Sequence, residues 1–319
     1  MLFRSNFKYI LITIITMFIL TITSIYAANT ISGSQVTYDN TSSKLSSTNI
    51  QGALDEIYTS ISTSTACPSG YFCKEKKTSP EVGDYVKMTP TITSYTTDTS
   101  KTGYTSTQTI KPSELNLWRV LKVNGDGTIE MISEYTSSTL VYFRGQTGYL
   151  NFVGYLNELA SKYENSKYTI GSRYVGYNEQ TEYLTDTSKI TSTTAPWTSS
   201  TGSNTVESQG GGDTLYQNDY DLIKNVLGTV VATKVGTGNA SSYWLASRYY
   251  YYSSSTIWNY NARYISTNGN LGNYNLYYYY SGSFNTNYNS YALRPIVILK
   301  SGISYAPALG TSEDPFILN

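Results

Sequence analysis

The side chains between Ser241 and Tyr291 are suited to contacts and hydrogen bonds more than to acid–base chemistry. This stretch of 51 residues contains 14 Tyr, 10 Ser and 9 Asn, and its only charged residues are Arg248 and Arg263. Tyr offers a large, stiff, amphipathic contact area, and Ser and Asn add short hydrogen-bonding groups, a combination that antibody binding loops also use. The composition predicts a binding surface in this stretch, which is called the aromatic tract below.

The sequence lacks the side chains that most catalytic mechanisms require. Histidine is absent from all 319 residues, which removes Ser-His-Asp and Cys-His arrangements and zinc sites built on imidazole. The aromatic tract contains no Asp or Glu, so tyrosine would be its best proton carrier. We therefore expect a protein that is not an enzyme and that needs no cofactor and no metal.

The overall charge argues against a nucleic-acid partner. Lys plus Arg and Asp plus Glu both number 22, and charged residues make up 14% of the chain, against roughly a quarter in an average soluble domain. A nucleic-acid surface requires clustered Lys and Arg to neutralise phosphates. The sequence predicts instead a protein or glycan ligand.

The amino terminus has the pattern of an export segment. Arg4 and Lys8 precede an uncharged run from Tyr9 to Ala28 that ends in small residues suited to cleavage. Because this run is close to the length of a membrane-spanning helix, residues 1–28 are either a signal peptide or a retained anchor. Both alternatives place the protein outside the cytoplasm, secreted or held at the cell surface, with the membrane contacted only through this segment.

Cys67 and Cys73 enclose a short segment that contains Pro, Ser and Gly. In an exported chain, such a local pair predicts a disulfide. A redox or metal site would have closer spacing or more ligands. We assign residues 67–114 to a disulfide-bearing linker region.

Residues 29–66 are predicted to form a polar stalk with one short amphipathic helix. Ile50, Leu54, Ile57 and Ile61 follow the 4-3-4 spacing of a coiled-coil seam, and Thr48 is available as the N-cap. The seam spans less than two heptads and would not be stable alone. Residues 48–61 therefore either join copies into a homo-oligomer or pack on their own domain.

The remainder, residues 115–319, shows the element pattern of an α+β domain with mostly antiparallel strands and two helices. Alternating runs at 117–123 and 129–133, joined by Asn, Gly and Asp, predict a β-hairpin. Apolar spacing predicts helices over about 151–163 and 217–227. Strands are predicted at 243–247, 256–266 and 293–299.

Two motifs bracket the aromatic tract. They are Tyr-Trp-Leu-Ala-Ser-Arg at 243–248 and Ala-Leu-Arg-Pro-Ile-Val-Ile-Leu-Lys at 292–300. With this spacing the region resembles the variable proteins associated with diversity-generating retroelements and their bacterial surface paralogues. The resemblance implies a C-type-lectin-like domain whose scaffold motif and closing strand present a ligand-facing tract, possibly hypervariable between copies. Trp244 and Arg294 are expected to be structural.

The expected function is recognition of a protein or glycan ligand by an exported, non-catalytic protein. The alternative is a structural surface subunit, pilus-like or stalk-like, whose tyrosines make subunit contacts. Side chains of a strand alternate between its two faces, so only part of the tract can meet a ligand. The candidate contact residues are Tyr250, Tyr252, Trp258, Asn259, Tyr260, Asn273, Tyr274, Asn275, Tyr278, Tyr280 and Tyr288.

Overall fold

A computed structural model describes residues 37, 46–63, 75–176, 190–198, 201–203, 217–236 and 241–319. The chain divides into two compact units, Met1–Glu75 and Lys76–Asn319. The export segment at 1–28 and the pair Cys67 and Cys73 lie outside the described residues. None of the helices in the described residues has both the length and the apolar composition that a membrane-spanning segment requires.

The described residues contain four α-helices and sixteen strands. The helices are α1 (Ile50–Thr63), α2 (Thr99–Thr102), α3 (Gly145–Ser161) and α4 (Gln217–Leu227), with a 3-10 turn at Pro112–Glu114. The strands are β1 (Tyr85–Lys87), β2 (Tyr95–Thr96), β3 (Thr109–Ile110), β4 (Leu117–Val123), β5 (Ile129–Ser133), β6 (Val141–Arg144), β7 (Thr169–Tyr174), β8 (Thr201–Ser203), β9 (Tyr243–Ser254), β10 (Ile257–Ile265), β11 (Leu271–Tyr280), β12 (Ser283–Thr286), β13 (Tyr288–Tyr291), β14 (Pro295–Leu299), β15 (Tyr305–Ala306) and β16 (Phe316–Leu318). The α+β class with mostly antiparallel strands is confirmed.

Helix α1 forms as its apolar spacing predicts, but its cap differs from the prediction. The amide of Gly52 donates to Asn49 Oδ1 at 2.7 Å, so Asn49 and not Thr48 is the N-cap. The Glu56 carboxylate accepts hydrogen bonds from the backbone amides of Ser46 and Ser47 and so closes the preceding turn onto the helix. These contacts fix the point at which the helix begins.

One sheet of the second unit has seven strands in the order β15-β16-β1-β4-β5-β14-β7. Its centre is the predicted hairpin, in which Trp118 pairs with Ser133 and Val123 with Ile129. The turn between them closes where Gly127 adopts a φ of 82°, a conformation that glycine adopts without steric cost. The hairpin prediction is confirmed.

The prediction of a linker over residues 67–114 is corrected from Lys76 onward, because the second compact unit begins there and not at residue 115. Strand β1 pairs on both sides, parallel with β16 and antiparallel with β4. Trp118 Nε1 donates to the Met88 carbonyl oxygen at 2.8 Å, which ties the segment after β1 to the hairpin. Three-residue strands with partners this distant in sequence leave no local pattern that distinguishes them from a linker.

A second sheet of five strands has the order β12-β11-β10-β9-β8 and contains most of the aromatic tract. Neighbouring strands within it are antiparallel. Strand β9 extends to Ser254, well beyond the predicted 243–247, because its tyrosines continue the pairing with β10. A separate two-stranded ladder joins β6 to β13.

Helix α3 lies between the two sheets and contacts strands of both. It begins six residues before the predicted position 151, at Gly145. Its first turns contain Gly148, where a Cβ atom would lie 2.7 Å from the Thr102 carbonyl oxygen. Glycine lowers helix propensity, and this close approach explains why the first turns lacked a helical signal in the sequence.

Trp244 and Arg294, one from each bracketing motif, have the structural positions expected of them: both are buried and bond to the backbone of other elements. Trp244 is buried, and its Nε1 donates to the Val141 carbonyl oxygen at 2.7 Å. Arg294 is also buried and donates to the carbonyl oxygens of Ser133 at 3.1 Å and Val230 at 2.9 Å. A charged group in the interior is tolerated because its donors are satisfied by backbone acceptors.

Candidate functional site

The two four-tyrosine runs of the tract, at 249–252 and 277–280, lie in strands and therefore alternate between the faces of the five-stranded sheet. In β9, Tyr250 is buried and Tyr251 is 42% exposed. In β11, Tyr279 is buried and Tyr280 is 55% exposed. The sheet thus has an inner face turned toward helix α3 and an outer face turned toward solvent.

The outer face carries a cross-strand row of alternating Tyr and Asn. Tyr251 lies opposite Asn259, Asn259 opposite Tyr278, and Tyr278 opposite Asn285. Directly opposed residues of antiparallel strands project from the same face within contact distance. Tyr280 lies on the same face two residues beyond Tyr278, and these five residues are called the tyrosine face below.

The surroundings of the tyrosine face are also uncharged. The next cross-strand row consists of Ser254, Ile257, Tyr280 and Ser283. Such a surface can stack against a ligand and exchange hydrogen bonds with it. It holds no carboxylate, imidazole or thiol for proton transfer or nucleophilic attack.

The prediction that Tyr250, Trp258 and Tyr260 contact a ligand is wrong, because all three side chains are buried on the inner face. Tyr250 donates from its hydroxyl to the Trp197 carbonyl oxygen at 3.0 Å. Trp258 stacks on Tyr279 with ring centroids 4.1 Å apart. Tyr260 packs against Tyr149 of helix α3 with ring centroids 5.3 Å apart. All three rings therefore serve the interior, where large aromatic side chains bury much apolar area.

The other predicted residues divide among different parts of the domain. Tyr252 and Tyr274 are half-buried and pack against the core. Asn273 is exposed and Asn275 half-buried, toward the far end of β11 from the tyrosine face. Tyr288 is exposed but belongs to the ladder of β6 and β13. Only Asn259, Tyr278 and Tyr280 of the predicted set lie together.

Tyr251 and Asn285 complete the tyrosine face and were absent from the predicted set. The prediction placed the even-numbered tyrosines of both runs on the outside, which is right for β11 and wrong for β9. Tyr250 of β9 and Tyr277 of β11 both lie opposite Tyr260, so the even-numbered residues of the first run share a face with the odd-numbered residues of the second. Because a shift of one residue exchanges the two faces of a strand, only the register could reveal the correct phase.

The central strand β10 is covered on the outer face toward the other end of the sheet. Asn261 and Arg263 are buried there, and the Arg263 guanidinium lies 4.7 Å from the ring centroid of Tyr249. A cation at this distance is attracted by the ring's negative face. In β11, by contrast, Asn273 lies opposite Arg263 and is exposed, so at this end solvent reaches the edge of the outer face but not its centre.

Comparisons with known proteins found no match to this chain among family models, curated proteins or solved structures. Among the described residues, no group of three or more His, Cys, Asp or Glu side chains is arranged to hold a metal ion.

Burial on the inner face raises the pKa of Tyr250 and Tyr260 well above 10.0, the usual value for tyrosine. Below about pH 10 both rings are neutral in the folded and unfolded states, so their contribution to stability is complete. Above it, unfolded tyrosines lose protons that the folded rings retain, so we expect the free energy of unfolding to fall as the pH rises. Denaturant titrations between about pH 8 and about pH 11.5 measure this slope.

Replacing one inner tyrosine by phenylalanine identifies the source of this slope. Tyr260→Phe removes one of the ionising groups, so the stability of this variant should fall less steeply with pH than that of the wild type. Val123→Ala, which changes an exposed side chain that does not ionise, is the control and should retain the wild-type slope. Equal slopes for the two variants would contradict the assignment of Tyr260 to the interior.

Proposed function

We propose that this protein is a non-catalytic recognition protein that binds a protein or glycan ligand through the tyrosine face. The observation that carries the proposal is the row of Tyr251, Asn259, Tyr278 and Asn285, which leaves aromatic and amide groups turned outward on one sheet. A strand face with no binding role would be expected to carry more charged residues. This part of the sheet carries none.

Energetic considerations favour tyrosine for this task. A buried tyrosine at an interface contributes a large contact area while ordering only two side-chain torsions. Because β9, β10 and β11 are paired along their lengths, the backbone beneath the rings is already ordered before a ligand arrives. Binding through a few such aromatic anchors surrounded by weaker polar contacts is the usual distribution of energy at interfaces.

We also propose a C-type-lectin-like fold and an extracytoplasmic location for the protein. Support for the fold comes from the two bracketing motifs, since Trp244, Arg248 and Arg294 are buried and bond to the backbone of other elements. The location rests on the export pattern at residues 1–28. Both proposals agree with a frame that displays a ligand-facing tract outside the cell.

A triple variant tests the recognition function. A ligand is first identified on glycan and extracellular-protein arrays. The combined changes Tyr251→Ala, Tyr278→Ala and Tyr280→Ala should then lower the affinity for it by at least about tenfold. The three changes remove exposed or half-buried rings, so the melting temperature should remain close to that of the wild type. Dissociation constants measured by surface plasmon resonance check the outcome.

A second triple variant serves as the control. Val123→Ala, Ile170→Ala and Ile317→Ala remove three exposed apolar side chains from the seven-stranded sheet and should leave ligand binding intact. Equal loss in both triple variants would contradict recognition by the tyrosine face. Concentration-dependent filaments of the wild type that disappear only in the first variant would favour the structural-subunit alternative.

We propose in addition that helix α1 joins copies of this chain. Its seam residues Ile50 and Leu54 are 40% and 56% exposed, and their spacing matches the contact positions of a coiled coil. Exposed apolar seams on a short helix are stabilised when a second helix covers them. The stalk would thereby present several tyrosine faces on one particle, which raises avidity for a repeated ligand.

Sedimentation of the chain from residue 29 onward tests this oligomer. The double variant Ile50→Gln and Leu54→Gln should lower the measured mass to that of one chain, because polar side chains remove the apolar seam. Gln51→Ala changes an exposed neighbour outside the seam and should leave the mass unchanged. A wild-type mass equal to one chain across the micromolar range would refute the proposal.

A further inference from the structure

A polar cleft of about 320 Å³ lies at the edge of the five-stranded sheet, beside the start of helix α3. Its lining includes Arg144, Gln146 and Thr147 from the end of β6 and the start of α3, together with Tyr277 of β11 and Thr286 of β12. Its volume is at the lower end of the range for small-ligand sites, about 300 to 1,000 Å³. The cleft differs from the tyrosine face in position and in carrying a charge.

Arg144 is the charged group of this cleft, and its guanidinium has no partner in the described part of the chain. Other half-buried arginines there are paired: Arg173 contacts both Asp219 and Glu130, and Arg119 contacts Glu134. Arg144 as a residue is half-buried, yet no acceptor among the described residues meets its side chain. A guanidinium without an acceptor, at the wall of a cleft, favours an anionic ligand, above all a carboxylate or phosphate.

Three aromatic rings form a shelf next to Arg144. Tyr104 and Tyr142 stack with centroids 4.5 Å apart, and Tyr288 lies 5.3 Å from Tyr104. Tyr288 pairs directly with Arg144 in the ladder of β6 and β13 and is 53% exposed. Tyr142 precedes Arg144 by two residues and so shares its face of the strand. A ligand at the guanidinium can thus lie against a tyrosine ring.

The backbone around the cleft is held in place by close glycine contacts. A Cβ atom on Gly103 would lie 2.4 Å from the Arg144 carbonyl oxygen. A Cβ atom on Gly145 would lie 3.1 Å from Thr286 Cγ2. Both glycines have positive φ values, 66° and 59°, which favour glycine. The strand end that carries Arg144 is therefore closely packed against the segment at Gly103 and against β12, and a packed backbone lowers the entropic cost of binding.

We propose that this cleft binds a sugar residue that carries a carboxylate. The guanidinium of Arg144 receives the carboxylate in a two-point hydrogen-bonded pair, and the tyrosine shelf packs against the less polar face of the sugar ring. Gln146, Thr147 and Thr286 present an amide and two hydroxyls that can exchange hydrogen bonds with ring hydroxyls. The site goes beyond the proposed function, because Arg144, Gln146, Thr147, Tyr104 and Tyr142 all lie outside the aromatic tract.

Isothermal titration of the wild-type protein with an acidic and a neutral trisaccharide tests the proposal without any variant. The probes are trigalacturonate and the corresponding trimer of galactose, with sialyllactose and a hyaluronan tetrasaccharide as further acidic sugars. We expect at least one acidic probe to bind at least tenfold more tightly than the galactose trimer, and its affinity to fall as salt is raised. Equal affinity for neutral and acidic trimers, or no binding of any acidic probe at millimolar concentration, would overturn the proposal.

Variants then assign the binding to this cleft. Arg144→Gln and Tyr288→Ala should each lower the affinity for the acidic probe at least tenfold. The affinity of Arg144→Lys should lie between those of Arg144→Gln and the wild type, because lysine keeps the charge but loses the two-point geometry. Tyr280→Ala, on the tyrosine face, is the control and should bind the acidic probe as the wild type does. Unchanged affinity in Arg144→Gln with an unchanged melting temperature would overturn the assignment.

A peptide of glutamates separates an acidic sugar from an acidic protein segment. If the peptide binds as tightly as the acidic trisaccharide and shows the same dependence on Arg144, the sugar class is refuted. If sugar binding is lost only in the tyrosine-face triple variant, the assignment of the sugar to the Arg144 cleft is refuted, while the proposed recognition function is supported.

Discussion

Aromatic packing between helix α3 and the inner face of the five-stranded sheet is the contact on which the rest of the domain depends. The Tyr260 ring lies 5.3 Å from Tyr149 of the helix and 5.5 Å and 5.9 Å from Tyr250 and Tyr277 of the neighbouring strands. Each such ring removes a large apolar area from water. Because strand side chains alternate, filling the inner face with these rings determines which residues of the same strands face solvent.

This constraint accounts for an unusual use of one residue type in two roles. Tyr250 and Tyr260 are interior rings, whereas Tyr251 and Tyr280, of the same type, are exposed on the outer face. The frame that separates these roles is held by Trp244 and Arg294, which bond to the backbone of other elements. For the recognition function that we propose, such a frame would order the surface in advance, so less entropy would be lost when a ligand binds.

Local patterns predicted part of this arrangement. The hairpin at 117–133 was predictable because turn residues separate two alternating runs, and α4 because its apolar spacing is regular. Strand β1 was not, since its partner Phe316 lies far along the chain. The phase of the tyrosines was predicted correctly in β11 and wrongly in β9, because four identical residues at 249–252 carry no alternation that distinguishes inside from outside. The Arg144 cleft left no motif, because its lining residues are far apart in sequence, at positions 103, 144–147, 277 and 286.

The division of the tyrosines between an interior and a displayed face is tested most directly by nitration of the native protein with tetranitromethane, followed by peptide mass spectrometry. Exposed rings react readily with this reagent, whereas buried rings require the fold to open. Tyr251 and Tyr280 should be nitrated early, while Tyr250 and Tyr260 should remain unmodified until the protein is unfolded. Nitration of Tyr250 or Tyr260 at the rate of Tyr280 under native conditions would contradict the division.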